Sequence, residues 1–275
     1  MMVANRLNLG YSMLLALVAC TSTPTEPGFD NPIIPDDPNY ESPQTTIISG
    51  PAEGAIVDTH AVTFAWVGNQ ENMTFAYRIN KNPWSDWTSN TQSALSYQDE
   101  GDYHFEVKGR YLSGVEEDSA AMRTYTIDDI HGPALRLYPR YQEVANGSIF
   151  TVEVILEEVE NVFAVRVALA FDAAKLQVTH IDVYEDGTSL LKQNGGVIIP
   201  FSAYDNGTGT ATIEVATATG DPPGVSGTGP IAMVTFRAVQ AGQAFIIINQ
   251  TSALRDPDNA DVALAETVRA IVLVR

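Results

Sequence analysis

The sequence predicts an all-β protein that consists of two successive β-sandwiches, and three observations support this fold class. The charged fraction is 18%, below the average of about 25%, while Thr, Val, Ala and Gly are abundant. Apolar and polar residues alternate with period 2 in short runs that Gly, Asn, Asp and Pro turns separate, and no amphipathic helical pattern competes with them. The length of 275 residues suits two domains, since one domain usually takes about 100 to 200 residues.

The charge and cysteine content exclude two further classes of protein. The chain has 34 acidic and 15 basic residues, a formal net charge of −19, and no clustered Lys/Arg stripe. Such a surface repels phosphate, so nucleic acid is not expected as a partner. One Cys cannot form an internal disulfide framework, and stability must therefore come from packed cores.

Residues 1–19 predict an export signal, because an apolar stretch follows Arg6 and is too short to span a bilayer, which takes about 20 residues. The Leu-Val-Ala-Cys sequence that ends at Cys20 resembles the lipobox of bacterial lipoproteins. This resemblance implies lipidation of Cys20 and a lipid-anchored location in the bacterial cell envelope. In bacteria with two membranes, Thr21 in place of Asp implies the outer membrane or the cell surface. The alternative is an ordinary signal peptide with an incidental Cys.

Residues 20–49 predict a spacer between this anchor and the folded domains. From residue 21 the segment has six Pro, five acidic residues and no basic residue, a composition typical of an extended, self-repelling chain.

The first domain is predicted at residues 50–130. Alternating runs predict short strands at Val62–Trp66, Phe75–Ile79, Tyr103–Val107 and Tyr125–Ile127. The order of Trp66 in an early strand, the Trp84-Ser85-Asp86-Trp87 segment and the later Gly101-Asp102-Tyr103 step resembles fibronectin type III or related immunoglobulin-like sandwiches. That resemblance implies seven strands around a buried Trp.

Trp84 and Trp87 lie beside a predicted turn, and they have two interpretations. Their rings could stack on the C–H surfaces of a glycan, or they could pack over the edge of the sandwich.

The second domain is predicted at residues 134–275, after a short joint at His131-Gly132-Pro133. Apolar residues at alternate positions predict an eight- or nine-stranded jelly-roll sandwich. The predicted strands are Val152–Leu156, Val165–Phe171, Val197–Tyr204, Ala211–Ala218, Ile231–Ala238, Ala244–Asn249 and Val268–Val274.

Four features of this second domain resemble the cohesin modules of cellulosome scaffoldins. They are the strand Val165–Phe171 with its continuation Asp172–Val178, the run Gly227–Ala238, the turn at Gly242 and the terminal apolar strand. The resemblance implies a non-catalytic module that binds a dockerin-containing protein, with a link to polysaccharide degradation or surface assembly.

The resemblance also implies that a helical partner docks on a flat sheet face, and alternation predicts which side chains form that face. They lie opposite the buried side chains of Val165 and Ile213. The predicted partner-binding residues are Ala164, Arg166, Ala168, Thr212, Glu214 and Ala216, with Ser202 and Tyr204 at the margin. Arg166 either meets an acidic or carbonyl-rich helix end of the partner or pairs with Glu214 as a surface ion pair.

The sequence predicts no catalytic site and no cofactor. The four His residues are isolated, and neither a Gly-x-Ser-x-Gly sequence nor a phosphate-binding loop occurs. Asp256, Asp258 and Asp261 offer oxygen ligands for Ca²⁺, but the segment lacks the Gly and the bidentate Glu of an EF-hand. The alternative is an ordinary acidic turn.

Three functions remain open from the sequence. The first is capture of a dockerin-containing protein at the cell envelope. The second is a carbohydrate-binding module that retains polysaccharide through Trp84 and Trp87. The third is a structural adhesion role that needs neither ligand.

Overall fold

The structure is a computed structural model that describes residue 31, residues 33–218 and residues 223–275. Over this part of the chain, the secondary structure consists of strands and one 3₁₀ turn at Leu190–Lys192. Both sandwiches lie in one compact unit, residues 42–275. The predicted signal sequence, Cys20 and residues 21–30 and 32 of the predicted spacer lie outside the described residues.

Residues 33–41 belong to a separate unit and form successive turns. The N–H of Asp37 donates to the carbonyl of Ile34 at 2.9 Å, and the N–H of Tyr40 donates to the carbonyl of Asp37 at 3.0 Å. Backbone N–H groups of Asn31 and Asn39 donate to the Asp37 carboxylate and lower its pKa. This part of the predicted spacer is thus turned rather than extended.

The first sandwich has a three-stranded and a four-stranded sheet. The antiparallel three-stranded sheet has the order β1-β3-β5, with strands β1 (Thr45–Ser49), β3 (Val62–Gly68) and β5 (Gln92–Leu95). The four-stranded sheet has the order β2-β7-β6-β4, with strands β2 (Ala55–Val57), β4 (Thr74–Ile79), β6 (Gly101–Arg110) and β7 (Ala121–Ile127). Because β1 belongs to this sandwich, the first domain begins before residue 50. Its five residues lacked a period-2 pattern long enough to be recognised.

Aromatic side chains fill the core between these two sheets. Phe64 and Phe105 are fully buried and stack with their ring centroids 3.9 Å apart. Trp66 is buried beside them, as the predicted sandwich requires. The likeness to fibronectin type III or immunoglobulin-like domains stays a prediction.

The second sandwich contains a five-stranded and an eight-stranded sheet. The five-stranded sheet has the order β12-β15-β10-β8-β19, with strands β8 (Ala134–Tyr138), β10 (Ile149–Val162), β12 (Leu176–Val183), β15 (Val225–Ala238) and β19 (Glu266–Val268). The eight-stranded sheet has the order β13-β14-β11-β16-β20-β9, with strands β9 (Tyr141–Val144), β11 (Ala164–Phe171), β13 (Val197–Asp205), β14 (Thr210–Ala218), β16 (Gly242–Ile248) and β20 (Ala270–Val274). Two short strands complete it, β17 (Ala253–Arg255) beside β11 and β18 (Asp261–Val262) beside β17.

Aliphatic side chains from both sheets form the core of the second sandwich, and Phe236 lies at its centre. Phe236 is fully buried, and its ring centroid lies 5.6 Å from that of Phe150 and 5.4 Å from that of Phe171. Leu156, from the five-stranded sheet, and Leu169, from the eight-stranded sheet, are also buried. The two-sheet architecture confirms the predicted all-β fold.

The chain changes sheets at two corners that the sequence did not reveal. The predicted strand Val268–Val274 is interrupted at Arg269, so that β19 belongs to the five-stranded sheet and β20 to the eight-stranded sheet. The chain makes the same change between β8 and β9, at Pro139-Arg140. Proline has no N–H to continue a ladder, which suits a strand end. These corners, together with the short strands β17 and β18, explain why thirteen strands occur where eight or nine were predicted.

Candidate binding face

Two neighbouring strands of the eight-stranded sheet present their small and polar side chains outward. In the antiparallel pair β11–β14, Ala164 lies opposite Ala216 and Arg166 lies opposite Glu214. The alternate residues point into the core, where Val167 and Ile213 are fully buried. The register therefore brings four of the predicted partner-binding residues onto one face.

Strand β13 extends this face with apolar side chains. Ile199 lies opposite Ala216 and Phe201 opposite Glu214, so both point outward with the predicted residues. They are 58% and 56% exposed, respectively. Alternation alone does not indicate them, because β13 carries large apolar residues on both of its sides and the sequence prediction places Ser202 and Tyr204 outward. A strand that is apolar on both sides was the available signal.

Ser202 and Tyr204 do not belong to this face, which corrects the sequence prediction. They lie opposite Ile213 and Ala211, whose side chains point into the core, and are thus on the other side of β13. The Tyr204 hydroxyl donates to the carbonyl of Thr179 on β12 at 3.4 Å.

Ala168 is the second correction. It shares the outward parity of Ala164, and Thr212 lies opposite it, but it is only 9% exposed. The turn that follows β16 contacts its backbone, because the N–H of Ala168 donates to the hydroxyl of Ser252 and its carbonyl accepts the N–H of Asn249. Ala168 therefore cannot offer its surface to a partner.

The short strand β17 forms the other side of the face. Arg255 lies opposite Ala164, and Ala253 lies opposite Arg166. A shallow groove of about 530 Å³ runs between β13 and β17 over this floor of small residues. We call the outward surface of β11, β13, β14 and β17 the open face.

The charged side chains of the open face form weak, exposed ion pairs. Arg166 Nε lies 3.5 Å from Glu214 Oε1, and both side chains are about half exposed. The surface ion pair considered in the sequence analysis is therefore present. Such a pair contributes about 0 to 1 kcal/mol, so a partner can displace it at little expense of stability.

Carboxylates of the acidic segment after β17 form an ion pair and a hydrogen bond with other groups of the chain. Asp261 pairs with Arg255 at 2.8 Å, and the Asp256 carboxylate accepts the N–H of Ala260 at 2.8 Å. Asp258 lies in the same turn. Among the described residues, no three His, Cys, Asp or Glu side chains are grouped so that they could hold a metal ion. Two of the three carboxylates are thus engaged by groups of the same segment.

Trp84 and Trp87 lie half-buried on the outward side of the four-stranded sheet, where cations alternate with their rings. Arg78 lies 4.5 Å and Lys108 5.0 Å from the Trp84 ring centroid. Lys108 lies 5.3 Å and Arg110 4.3 Å from the Trp87 ring centroid. We call this set the cation–aromatic ladder. The cations occupy space that a stacked sugar ring would need, which favours the packing interpretation.

The opposite end of the eight-stranded sheet is covered by the first sandwich. Tyr97 stacks on Tyr141 of β9 with ring centroids 5.5 Å apart. Ile271 of β20 points outward but is only 4% exposed, and it lines a cavity together with Tyr97 and His60. The first sandwich thus covers one end of the eight-stranded sheet, and the open face is the end that it leaves uncovered.

A membrane-spanning helix is absent from the residues that the structure describes. Cys20, the predicted lipidation site, lies outside them.

Comparison with known protein families identifies the second sandwich. Residues 140–272 match the model of the Cohesin domain. No curated protein matches the chain.

Similar solved structures are also cohesins. The sixth cohesin of scaffoldin B from Acetivibrio cellulolyticus, solved with a Cel5 dockerin, has a TM-score of 0.42 and 18% identity; the match covers 53% of this chain and all of that one. A type II cohesin from the cellulosome of the same organism has a TM-score of 0.44 and 14% identity over 50% of this chain and 94% of that one. A non-cellulosomal cohesin from Archaeoglobus fulgidus has a TM-score of 0.40 and 20% identity over 52% of this chain and 90% of that one.

Proposed function

We propose that this protein is a non-catalytic, lipid-anchored cell-surface protein whose cohesin domain binds a dockerin-containing partner through the open face. The observation that carries this proposal is the exposure of Ile199 and Phe201 on a flat sheet face of the cohesin domain. Contiguous exposed apolar side chains with a polar rim are typical of protein interaction sites.

The chemistry of the open face suits an amphipathic helix. The bottom of the groove is formed by small side chains, those of Ala164, Ala216 and Ala253. A helix backbone can therefore approach the sheet closely. Ile199 and Phe201 provide apolar contact on one side, and an aromatic side chain of this kind often supplies a large share of the binding energy.

The two arginines of the open face fix the charge that the partner should carry. Arg166 and Arg255 lie on adjacent strands, β11 and β17, and both line the groove. A guanidinium can make two parallel hydrogen bonds to a carboxylate or to the carbonyl groups at a helix C-terminus. We therefore expect an acidic or carbonyl-rich end on the partner helix.

The lipobox resemblance of the N-terminal sequence supports the anchor. Each buried CH₂ of an acyl chain contributes about 0.8 kcal/mol, so several chains on Cys20 would make release from the membrane negligible. A tether at the membrane raises the effective concentration of a captured protein near the envelope. Since the cohesin resemblance implies a link to polysaccharide degradation, we propose that the captured protein acts on polysaccharide.

The anchor is tested separately by labelling cells with a fatty-acid analogue. Wild-type protein should take up the label and sediment with membranes, whereas a Cys20→Ser variant should do neither. Equal membrane association and labelling of the two proteins would overturn the anchor.

Partner binding is tested with the purified full chain as bait in an extract of the native organism. Phe201→Asp places a charge on the open face, and Ser202→Asp places the same charge on the opposite side of the same strand. We expect wild type and Ser202→Asp to retain a dockerin-containing protein and Phe201→Asp to lose it.

Two results would contradict the proposal in different ways. If no dockerin-containing protein is retained by wild type, the proposed function is wrong. If all three baits retain it equally, the function stands but the open face is not its site.

A further inference from the structure

The connection between the two sandwiches, residues 128–132, is hydrogen-bonded along its whole length. The N–H of Asp128 donates to a backbone carbonyl of β2 at 3.0 Å. One oxygen of the Glu100 carboxylate accepts the N–H groups of Asp129 and Ile130, at 2.8 and 3.0 Å. The beginning of the connection is therefore bonded to the first sandwich.

The end of the connection is bonded to the second sandwich. The N–H of His131 donates to the Glu266 carboxylate at 2.9 Å, and the N–H of Gly132 donates to the Glu158 carboxylate at 2.9 Å. A hinge works through a few residues whose backbone dihedral angles can change. In this connection, such a change would first have to break hydrogen bonds of the backbone.

Gly132 also packs closely against strand β10. A Cβ added to Gly132 would overlap the carbonyl oxygen of Glu157 and the Cβ of Glu158. Only glycine lets the backbone approach β10 so closely. The connection is thus packed onto the second sandwich as well as hydrogen-bonded to it.

A second contact joins the sandwiches at the corner between β8 and β9. Arg140 donates from both terminal nitrogens to the carboxylate oxygens of Asp129, each at 2.8 Å, and its backbone N–H donates to the Asp99 carboxylate at 2.7 Å. Two parallel hydrogen bonds fix direction as well as distance. The ion pair lines an open cavity of about 460 Å³, so its contribution is a fixed geometry rather than a large gain in stability.

Apolar and aromatic side chains pack across the same junction. The Tyr97 ring stacks on that of Tyr141, with an angle of 18° between the ring planes. Ile130, in the connection, is 2% exposed, and Ile271, on the outward side of β20, is 4% exposed. An outward Ile on the uncovered end of the same sheet, Ile199, is 58% exposed. The first sandwich therefore buries apolar surface that the second would otherwise expose.

We propose that the two sandwiches form one rigid unit that unfolds cooperatively, in which the first sandwich is a permanent cover for one end of the eight-stranded sheet. Neighbouring domains of a chain usually move relative to each other. Here all five backbone donors of the connection are engaged, three with the first sandwich and two with the second. The open face therefore keeps one orientation relative to the first sandwich.

Urea unfolding of the full chain, followed by two probes, tests the cooperativity. The fluorescence of Trp66, Trp84 and Trp87 reports the first sandwich, because these are all the Trp residues of the chain. Hydrogen exchange of β14, measured by mass spectrometry at each urea concentration, reports the second sandwich. In wild type we expect the two probes to give the same urea midpoint.

Two core substitutions distinguish coupling from coincidence. Val107 is fully buried in the first sandwich, where it pairs with Tyr77 and Ala121 away from the junction, and Ile213 is fully buried in the second sandwich. Val107→Ala and Ile213→Val should each lower both midpoints by the same amount. Separate midpoints in wild type, or a variant that shifts only the midpoint of its own sandwich, would overturn the proposal.

Hydrogen exchange in the absence of urea tests the connection itself. The protection factor of residues 128–132 in wild type should lie within about tenfold of that of the core strand β10. Glu100→Ala removes the acceptor of two N–H groups and should lower the protection at least about tenfold, whereas Glu185→Ala, at an exposed carboxylate, should leave it unchanged. Unprotected amides in wild type, or equal protection in the two variants, would contradict a rigid connection. Should Glu100→Ala not fold, the protection in wild type decides.

Discussion

The outward faces of the two sandwiches use exposed aromatic and charged residues in opposite ways. On the first sandwich, Trp84 and Trp87 alternate with the cations of Arg78, Lys108 and Arg110. On the second, Ile199 and Phe201 are more than half exposed and lie beside small residues. The first face is complete within the chain, whereas the second leaves apolar surface for another molecule.

This difference shows that aromatic residues near a turn are not by themselves a sign of a binding site. The two Trp residues were the conspicuous candidates in the sequence, yet each has a cation over its ring. Cation–π contacts of this kind stabilise a protein by about 0.5 to 2 kcal/mol. The comparison therefore predicts that substitutions in the ladder change stability and that substitutions on the open face change binding.

The largest expected effect is on the stability of the ladder. Trp84→Ala removes a half-buried ring and its contacts with Arg78 and Lys108. We expect the free energy of unfolding to fall by about 3 kcal/mol. Phe201→Ala removes a more exposed ring from the open face and should change stability by less than about 0.5 kcal/mol. Urea denaturation of both variants measures the difference.

A second arm of that experiment examines glycan binding. Affinity gels that contain polysaccharide should retard wild type and Trp84→Ala equally. Selective loss of retardation in Trp84→Ala, with stability preserved, would reverse the comparison and make the ladder a sugar-binding site.

The next effect is on affinity. Arg166→Glu reverses a charge at the centre of the open face and should weaken partner binding by at least about 2 kcal/mol, roughly 30-fold. Its exposed pair with Glu214, at 3.5 Å, contributes little to folding, so stability should change by less than about 1 kcal/mol. Calorimetric titration with the dockerin-containing protein that the full chain retains measures the affinities of wild type and Arg166→Glu.

Tyr204→Ala provides the matched control for that titration, because Tyr204 lies on the other side of β13. Its affinity should equal that of wild type. Full affinity in Arg166→Glu, or a loss in Tyr204→Ala alone, would place the centre of the interface elsewhere.

The fold was predictable where alternation continues over six or more residues. The strand predicted at Val165–Phe171 and that predicted at Ala211–Ala218 match β11 and β14 to within one residue. The corners at Arg140 and Arg269 were not predictable, because a strand that changes sheets keeps its apolar pattern. Pairing partners, rather than the pattern of one strand, determine where such a strand divides.

The binding face was predictable only in part for a related reason. Alternation placed Arg166 and Glu214 outward, and the register brings them opposite each other. Alternation could not determine which side of β13 faces outward, because Ile199 on one side and Tyr204 on the other are both large. Nor could it reveal that a turn covers Ala168, since that contact joins residues far apart in sequence.

A smaller effect concerns the hairpin that carries the open face. The Asn206 side chain, between β13 and β14, accepts the N–H of Val178 at 2.8 Å and donates to its carbonyl at 2.9 Å. Asn206→Ala leaves both of these partly buried backbone groups without their partner and should destabilise the protein by about 1 to 2 kcal/mol. Thermal unfolding measures this, with the exposed Asn90→Ala as control. An equal change in both variants would show that Asn206 does not join the two sheets.

The smallest effect is the response of the two faces to acid. In the ladder, Arg78 donates two hydrogen bonds to Glu106, at 2.6 and 3.0 Å, which lower the pKa of Glu106. A lowered pKa means that this contribution is present above the ordinary carboxyl pKa of about 4.3 and is lost as the pH falls through the value in the folded protein. Glu106→Gln should therefore reduce the loss of stability between pH 5 and pH 3 by less than about 1 kcal/mol. The matched variant Glu214→Gln, on the open face, should leave that loss unchanged, because its pair with Arg166 is longer and half exposed. Urea denaturation at the two pH values compares them, and equal acid sensitivity of both variants would remove this distinction between the faces.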